Sequence, residues 1–158
     1  MNLIVVILLI LLVTAIFLSY LPKNGNNFTV SSSCKGNFTA TVNRIIDGDT
    51  LEVKECNKHI RLALANTPEI NQNGWMEATV FTSQLCKVNS KIIVEQDTGQ
   101  LYDYYGRIVA LAYCQNKNLN EELIFNKFAV IMTRYCSRSE FATQAWAWNN
   151  GCKQILKK

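Results

Sequence analysis

From Phe38 onward the chain is cut by turn-forming residues into short β-branched or alternating runs, which restricts it to a small, locally connected, β-rich fold. Residues 38–46, 50–55 and 59–65 read as strands, separated by Asp47-Gly48-Asp49 and by Cys56-Asn57-Lys58, both suited to tight turns. Residues 76–87 carry Val80, Phe81 and Leu85 at helical spacing. Residues 91–96 and 107–114 return to strand character around a polar, Gly-containing loop, and 119–127 and 140–148 read as a second and a third helix. Three strands, a helix, two strands and two helices make an α+β domain. Five short strands with long connections suit a closed five-stranded β-barrel of the OB type with three helices.

Ahead of this domain, residues 3–21 are dominated by Leu, Ile and Val with no charged side chain, enough at helical rise to cross the hydrocarbon layer. The apolar part of a cleaved signal peptide usually spans only about 7 to 15 residues, so the run favours an uncleaved signal anchor, with the signal peptide as alternative. The expected organisation is a transmembrane anchor or signal peptide at 1–22, a polar linker at 23–37 and the globular domain at 38–158. Asn27-Phe28-Thr29 and Asn37-Phe38-Thr39 match the N-glycosylation pattern, a short triplet that recurs by chance.

The six cysteines, Cys34, Cys56, Cys86, Cys114, Cys136 and Cys152, all follow the apolar run. An even count in a small exported domain indicates a disulfide framework in an oxidising compartment, hence an extracytoplasmic domain held at the membrane or a secreted one. Lys23, just after the run, pulls weakly towards a cytoplasmic placement. Zinc is disfavoured, since no two cysteines stand at C-x2-C or C-x4-C spacing and there is one histidine. One pairing is argued against. Ser137-Arg138-Ser139-Glu140 has a capping-box pattern and Asn149-Asn150-Gly151 a stop pattern, so a single helix there would hold Cys136 and Cys152 on the order of 15 Å apart.

Three segments carry chemistry together: Asp47-Gly48-Asp49-Thr50, Arg61 with Asn66-Thr67-Pro68-Glu69, and Tyr105-Gly106-Arg107. Breaking a phosphodiester requires an activated water, neutralisation of the phosphate and help for the leaving oxygen. Asp49, Asn66 and the carbonyl of Thr67 are oxygen donors for a hard cation, calcium or, second to it, magnesium. Arg61 and Arg107 offer planar forks that donate two parallel hydrogen bonds to phosphate. Glu69, past a rigid Thr-Pro step, is the candidate base. His59, beside a turn, is read as solvated, and Trp146 and Trp148 as anchors of the last helix. The formal net charge of +4 falls on the portion after the apolar run and favours a polyanion partner.

At these residues the chain resembles the staphylococcal nuclease-like family, or thermonucleases. The resemblance covers roughly residues 38–140, including Ile46-Asp47-Gly48-Asp49-Thr50, Arg61-Leu62, Thr67-Pro68-Glu69, Asp103-Tyr104-Tyr105-Gly106-Arg107 and Leu119-Asn120-Glu121. It implies an OB-fold barrel with three helices and calcium-dependent hydrolysis of DNA and RNA. It also implies metal ligation by Asp49, Asn66 and Thr67, catalysis by Arg61, Glu69 and Arg107, and nucleotide contacts from Asp103, Tyr105 and Tyr135. Asn66 stands where the family's best-known members have aspartate, and the stretch after Glu69 is shorter and less basic than their mobile loop. The expected partners are therefore nucleic acid and, through residues 3–21, a membrane, with the chain acting as a monomer. A catalytically weak OB module that binds single-stranded nucleic acid or a protein is the competing reading.

Overall fold

The computed structural model describes residues 34–157. The expected anchor at 1–22 with its apolar run, the linker before Cys34 and the first glycosylation triplet lie outside the described residues. Among those described, no helix is long and apolar enough to cross a membrane. In chain order the strands are β1 (Asn37–Asp47), β2 (Thr50–Val53), β3 (His59–Leu62), β4 (Ala65–Asn66), β5 (Lys91–Gln96), β6 (Ile108–Cys114), β7 (Lys117–Asn118) and β8 (Val130–Ile131). The helices are α1 (Trp75–Leu85), α2 (Leu119–Phe125), α3 (Ala145–Ala147) and α4 (Lys153–Leu156).

Hydrogen bonding runs β3-β2-β1-β5-β6, and β3 then pairs in parallel with β6, Ile60 opposite Ile108 and Leu62 opposite Ala110. Five strands are thereby closed into the α+β OB barrel that the pattern of runs and turns predicts. Closure falls to β1, which is long enough to serve two neighbours. Asn37 to Thr41 pair with β5, and Val42 to Asp47 pair with β2. Register shifts between Val42 and Arg44 and between Ile45 and Asp47 bend the strand from one partner to the other. Ala40, Val42, Leu51, Ile60, Val94 and Leu111 fill the interior and are fully buried.

Two polar contacts fix the helices on the barrel. Buried Asn120 on α2 accepts from the Ala112 amide at 3.2 Å and donates to the carbonyls of Ala63 and Ala110 at 2.9 and 3.2 Å. The Thr82 hydroxyl on α1 donates to the Gly48 carbonyl at 2.6 Å. Gly48 is where the hairpin slides under the helix: a Cβ there would stand 2.7 Å from Thr67 Cγ2 and 2.8 Å from Ala78 Cβ.

The six cysteines pair as Cys34–Cys56, Cys86–Cys114 and Cys136–Cys152, with Cα separations of 6.0, 5.2 and 5.3 Å. The last pair corrects the expectation from a single helix. Ser139 caps only a 3-10 turn, Glu140–Thr143, accepting from the Phe141 amide at 3.3 Å, and Gln144 is extended (ψ 143°) and interrupts the helix. After α3 the chain makes a π turn, Trp148–Cys152, in which Gly151 takes φ 152°. That kink turns Cys152 back towards Cys136. Trp146 is buried, as expected of an anchor.

Candidate active site

The site grows from the two-residue turn between β1 and β2. The Asp47 carboxylate accepts from the Asp49 amide at 3.1 Å, tightening the turn and aiming Asp49 inward. Asp49 is almost fully buried. Its Oδ2 accepts from the Thr67 amide at 2.8 Å and the Thr67 hydroxyl at 3.1 Å, and pairs with Arg61 Nη2 at 3.1 Å. Burial pushes the Asp49 carboxyl above the usual carboxylate range, opposed by the Arg61 charge and the Thr67 amide. Burial also lowers the Arg61 guanidinium from its ordinary value, opposed by Asp49.

Arg61 reaches this place because β3 pairs with β2 at Thr50 and with β6 at Val109, a position inside the barrel's closure. Its Nη1 donates to the carbonyls of Leu62 at 2.8 Å and Ala65 at 2.6 Å. Nη2 donates to Asn66 Oδ1 at 3.1 Å as well as facing Asp49. The Asn66 amide nitrogen in turn donates to the Thr67 carbonyl at 3.4 Å. Asn66 is held on β4 by pairing with Val130 of β8.

Arg107 comes from the loop just before β6, beside Thr50, the cross-strand partner of Arg61. Asp103 accepts from the Tyr105 and Arg107 amides at 3.0 and 2.9 Å and pairs with Arg107 Nε at 2.5 Å. Asp103 thus shapes the loop and orients the guanidinium. Arg107 Nη1 also donates to the Thr50 hydroxyl at 3.2 Å, and its guanidinium lies 5.4 Å from the Tyr105 ring centroid. Glu69 is exposed after Pro68, its amide donating to Gln72 Oε1 at 2.8 Å.

All of the residues singled out from sequence, except Thr67, line one cleft of about 260 Å³: Asp49, Arg61, Asn66, Glu69, Asp103, Tyr105, Arg107 and Tyr135. Thr67 is buried behind it, donating to Asp49. Asp47, Tyr104 and Arg134 line the same cleft, and Thr50 steadies Arg107 from beside it. Asp47 and Thr50 were visible as neighbours of Asp49. Arg134 carried no sequence signal, since it joins the wall only because the 3-10 turn Thr133–Tyr135 turns it in. His59 stands outside the cleft, 3.8 Å from Glu52 and partly exposed.

The cleft brings together the carboxylates of Asp47, Asp49 and Glu69, the Asn66 amide and, behind it, the Thr67 carbonyl, all oxygen donors, with the Met132 sulfur as a further neutral donor beside Arg61; among the described residues no three His, Cys, Asp or Glu side chains gather into a metal cluster. Such an oxygen set fits a hard divalent cation and does not fit zinc or copper. Two guanidiniums lining one cleft fit a phosphate.

Comparison with known proteins agrees with this geometry. A family model described as Staphylococcal nuclease homologue matches residues 59–154, more than half of the chain. "Endonuclease YncB" of Bacillus subtilis (strain 168) is 32% identical over 113 residues, 66% of this chain and 53% of that protein. The chain spans about half the length of the curated relative it matches.

Proposed function

The chain belongs to the staphylococcal nuclease homologue family, and on that footing we propose that it is a calcium-dependent endonuclease hydrolysing DNA, RNA or both, exported or tethered at the membrane. The observation that carries this reading is the meeting of Arg61, Arg107 and Glu69 in one cleft beside the oxygens of Asp47, Asp49 and Asn66.

In this mechanism Glu69 accepts a proton from water as the water oxygen attacks phosphorus, the bond from phosphorus to the leaving oxygen breaks, and the leaving oxygen takes up a proton from solvent. Arg107, already aimed by Asp103 and Thr50, donates to the phosphate oxygens as charge builds on them. Arg61 does the same once its Nη2 turns from Asn66 and Asp49 to the substrate. Asp49, Asn66 and the Thr67 carbonyl, with Asp47 nearby, would hold calcium, which would supply charge neutralisation at the phosphate. Tyr105 and Tyr135 offer aromatic faces to the nucleotide, and Asp103 acts through Arg107.

Three cystine pairs support an oxidising compartment, and residues 3–21 supply the tether or export signal. The second reading, a binding module without turnover, is favoured by one contact: Asn66 Oδ1 is engaged by Arg61. The deciding experiment incubates the full chain, oxidised and in neutral detergent, with single-stranded DNA and with RNA, in calcium and then in chelator. Internal cleavage that needs calcium is expected. Retained binding with no cleavage in calcium would leave the module.

A further inference from the structure

The loop that delivers Arg107 is held mostly by itself. The Asp103 carboxylate accepts from the Tyr105 and Arg107 amides, and the Asp103 carbonyl accepts from the Gly106 amide at 3.0 Å. None of residues 103–107 is buried, and Tyr104 and Tyr105 are 96% and 78% exposed. Among the described residues the tip of the loop thus has no apolar anchor, and a turn closed only on its own carboxylate moves as a unit. Asp103, which orients Arg107, moves with it. The bond from Arg107 Nη1 to Thr50 steadies the guanidinium and not the turn behind it.

One side chain from elsewhere reaches this tip. Lys58 Nζ donates to the Gly106 carbonyl at 3.1 Å, among the described residues the only hydrogen bond between residues 103–106 and anything outside 102–107. The same Nζ stands 4.9 Å from the ring centroid of Tyr102, at the other end of the loop, where Tyr102 bridges Ile108. Lys58 therefore touches the loop at both ends. No carboxylate pairs with it among the described residues, so its ammonium is not drawn away from those two contacts. Its base is firm. The turn that carries Lys58 is bonded through Cys56 to Cys34, and at His59, the next residue, β3 begins its pairing with β2. Arg61 stands on that same strand.

We propose that Lys58 is a positioning residue: by donating to the Gly106 carbonyl and standing over the Tyr102 ring it fixes the 102–107 loop to the β2–β3 turn, and so holds Asp103 and Arg107 in register with Arg61. This rests on the nuclease reading and adds a residue on which the reaction depends without contact to the reacting phosphate. The donor at the end of the side chain matters, and not its charge alone. Lys58→Met keeps an unbranched stem and removes the donor, whereas Lys58→Arg keeps a donor that can reach the carbonyl and a cation for the ring.

The test uses the full chain, oxidised and in neutral detergent, with two readouts. The first, amide hydrogen exchange followed by mass spectrometry, needs no catalysis. Peptides covering 103–107 should exchange about 3- to 10-fold faster in Lys58→Met, the change that loss of one hydrogen bond of ordinary net strength supports, while those of β5 keep the parent's rate. The second is cleavage of single-stranded DNA in calcium. There kcat should fall by a similar factor with KM within about twofold of the parent's, because Arg107 meets charge that builds in the transition state. Lys58→Arg should recover most of both. Lys54→Met, the same charge loss at a lysine whose Nζ donates to Asn89 Oδ1 at 2.6 Å, should change neither. On the residual activity of Arg107→Ala, Lys58→Met should have no further effect on kcat, since the group it positions is gone. Exchange at 103–107 or kcat equal to the parent's in Lys58→Met, or a kcat loss that repeats in full on Arg107→Ala, would overturn the positioning role. A parent that cuts while Lys58→Met keeps its exchange sinks the role of Lys58 alone. Faster exchange at 103–107 in a chain that never cuts sinks the nuclease reading alone.

Discussion

Arg61 and Glu69 divide the site between a group that is held and one that is free. Both terminal nitrogens of Arg61 are committed to protein oxygens, whereas Glu69 stands exposed at the mouth of the cleft. Removing the Glu69 charge therefore perturbs chemistry and not the fold. Glu69→Gln should lower turnover by roughly 10²- to 10⁴-fold, the range for acid-base groups, with oligonucleotide binding intact. Turnover at the parent's rate would show that another group handles the proton. Asn66 links Arg61 to Thr67, since its Oδ1 accepts from Arg61 and its amide nitrogen reaches the Thr67 carbonyl. Asn66→Asp keeps the oxygen facing Arg61, removes the nitrogen that occupies that carbonyl and adds a negative charge beside the proposed cation. Ligand charge is one of the main controls on calcium affinity, so the calcium concentration for half-maximal activity should fall. Activity titrated against calcium in both forms measures it, and an equal or higher requirement would separate Asn66 from the metal.

At the scale of elements, the barrel was legible because each of its strands is bounded by its own turn chemistry: the β5 bounds, Lys91–Gln96, are those the alternation predicts. The cleft was legible as far as its residues sit in ordered motifs at strand ends. What escaped was set by tertiary closure. The segment after Ser137 has capping and stop residues suited to one helix, yet Gln144 is extended and Gly151 has φ 152°, leaving a 3-10 turn, α3 and a π turn. Packing of Gly151 against Thr133, where a Cβ would stand 3.0 Å from Cγ2, favours the kinked path. The same kink allows Cys136–Cys152, which braces the turn carrying Arg134 and Tyr135. Replacing both cysteines with serine should cost about 3 kcal/mol by loop entropy, measured in denaturant, and weaken oligonucleotide binding more than turnover at saturation. Binding equal to the parent's would show that the turn stands without its brace. Across β5 and β6, the Tyr113 hydroxyl donates to Glu95 at 2.9 Å, and burial, then this bond, pushes its pKa up to about 12. The folded pKa lies above the unfolded one, so the stabilisation is complete below about pH 10 and lost as pH rises through about 12. Tyr113→Phe should flatten the decline in stability over that window, followed by denaturant midpoints at stepped pH. An unchanged decline would assign it elsewhere.

For the whole molecule, the three cystines divide the work of holding a small barrel closed. Cys34–Cys56 fastens the start of the described chain to the β2–β3 turn, Cys86–Cys114 joins the end of α1 to the end of β6, and Cys136–Cys152 secures the C-terminal turns. They span 22, 28 and 16 residues, and in the chain-entropy model each such loop is worth about 3 kcal/mol. A domain of ordinary stability has about 5 to 15 kcal/mol in all, so the three together are comparable to the whole. Such a fold is poorly matched to a compartment that keeps thiols reduced. The proposed export accords with these cystines, whereas Lys23 after the apolar run pulls weakly the other way. Thiol labelling of the denatured, unreduced chain taken from its native host should therefore find few of its six cysteines free. Reduction of the purified chain should lower its thermal midpoint by well over 10 °C, since about 1 kcal/mol moves the midpoint of a domain this size by several degrees. Labelling of all six would overturn the proposed export, and a midpoint indifferent to reductant would show that the barrel's core carries the fold by itself.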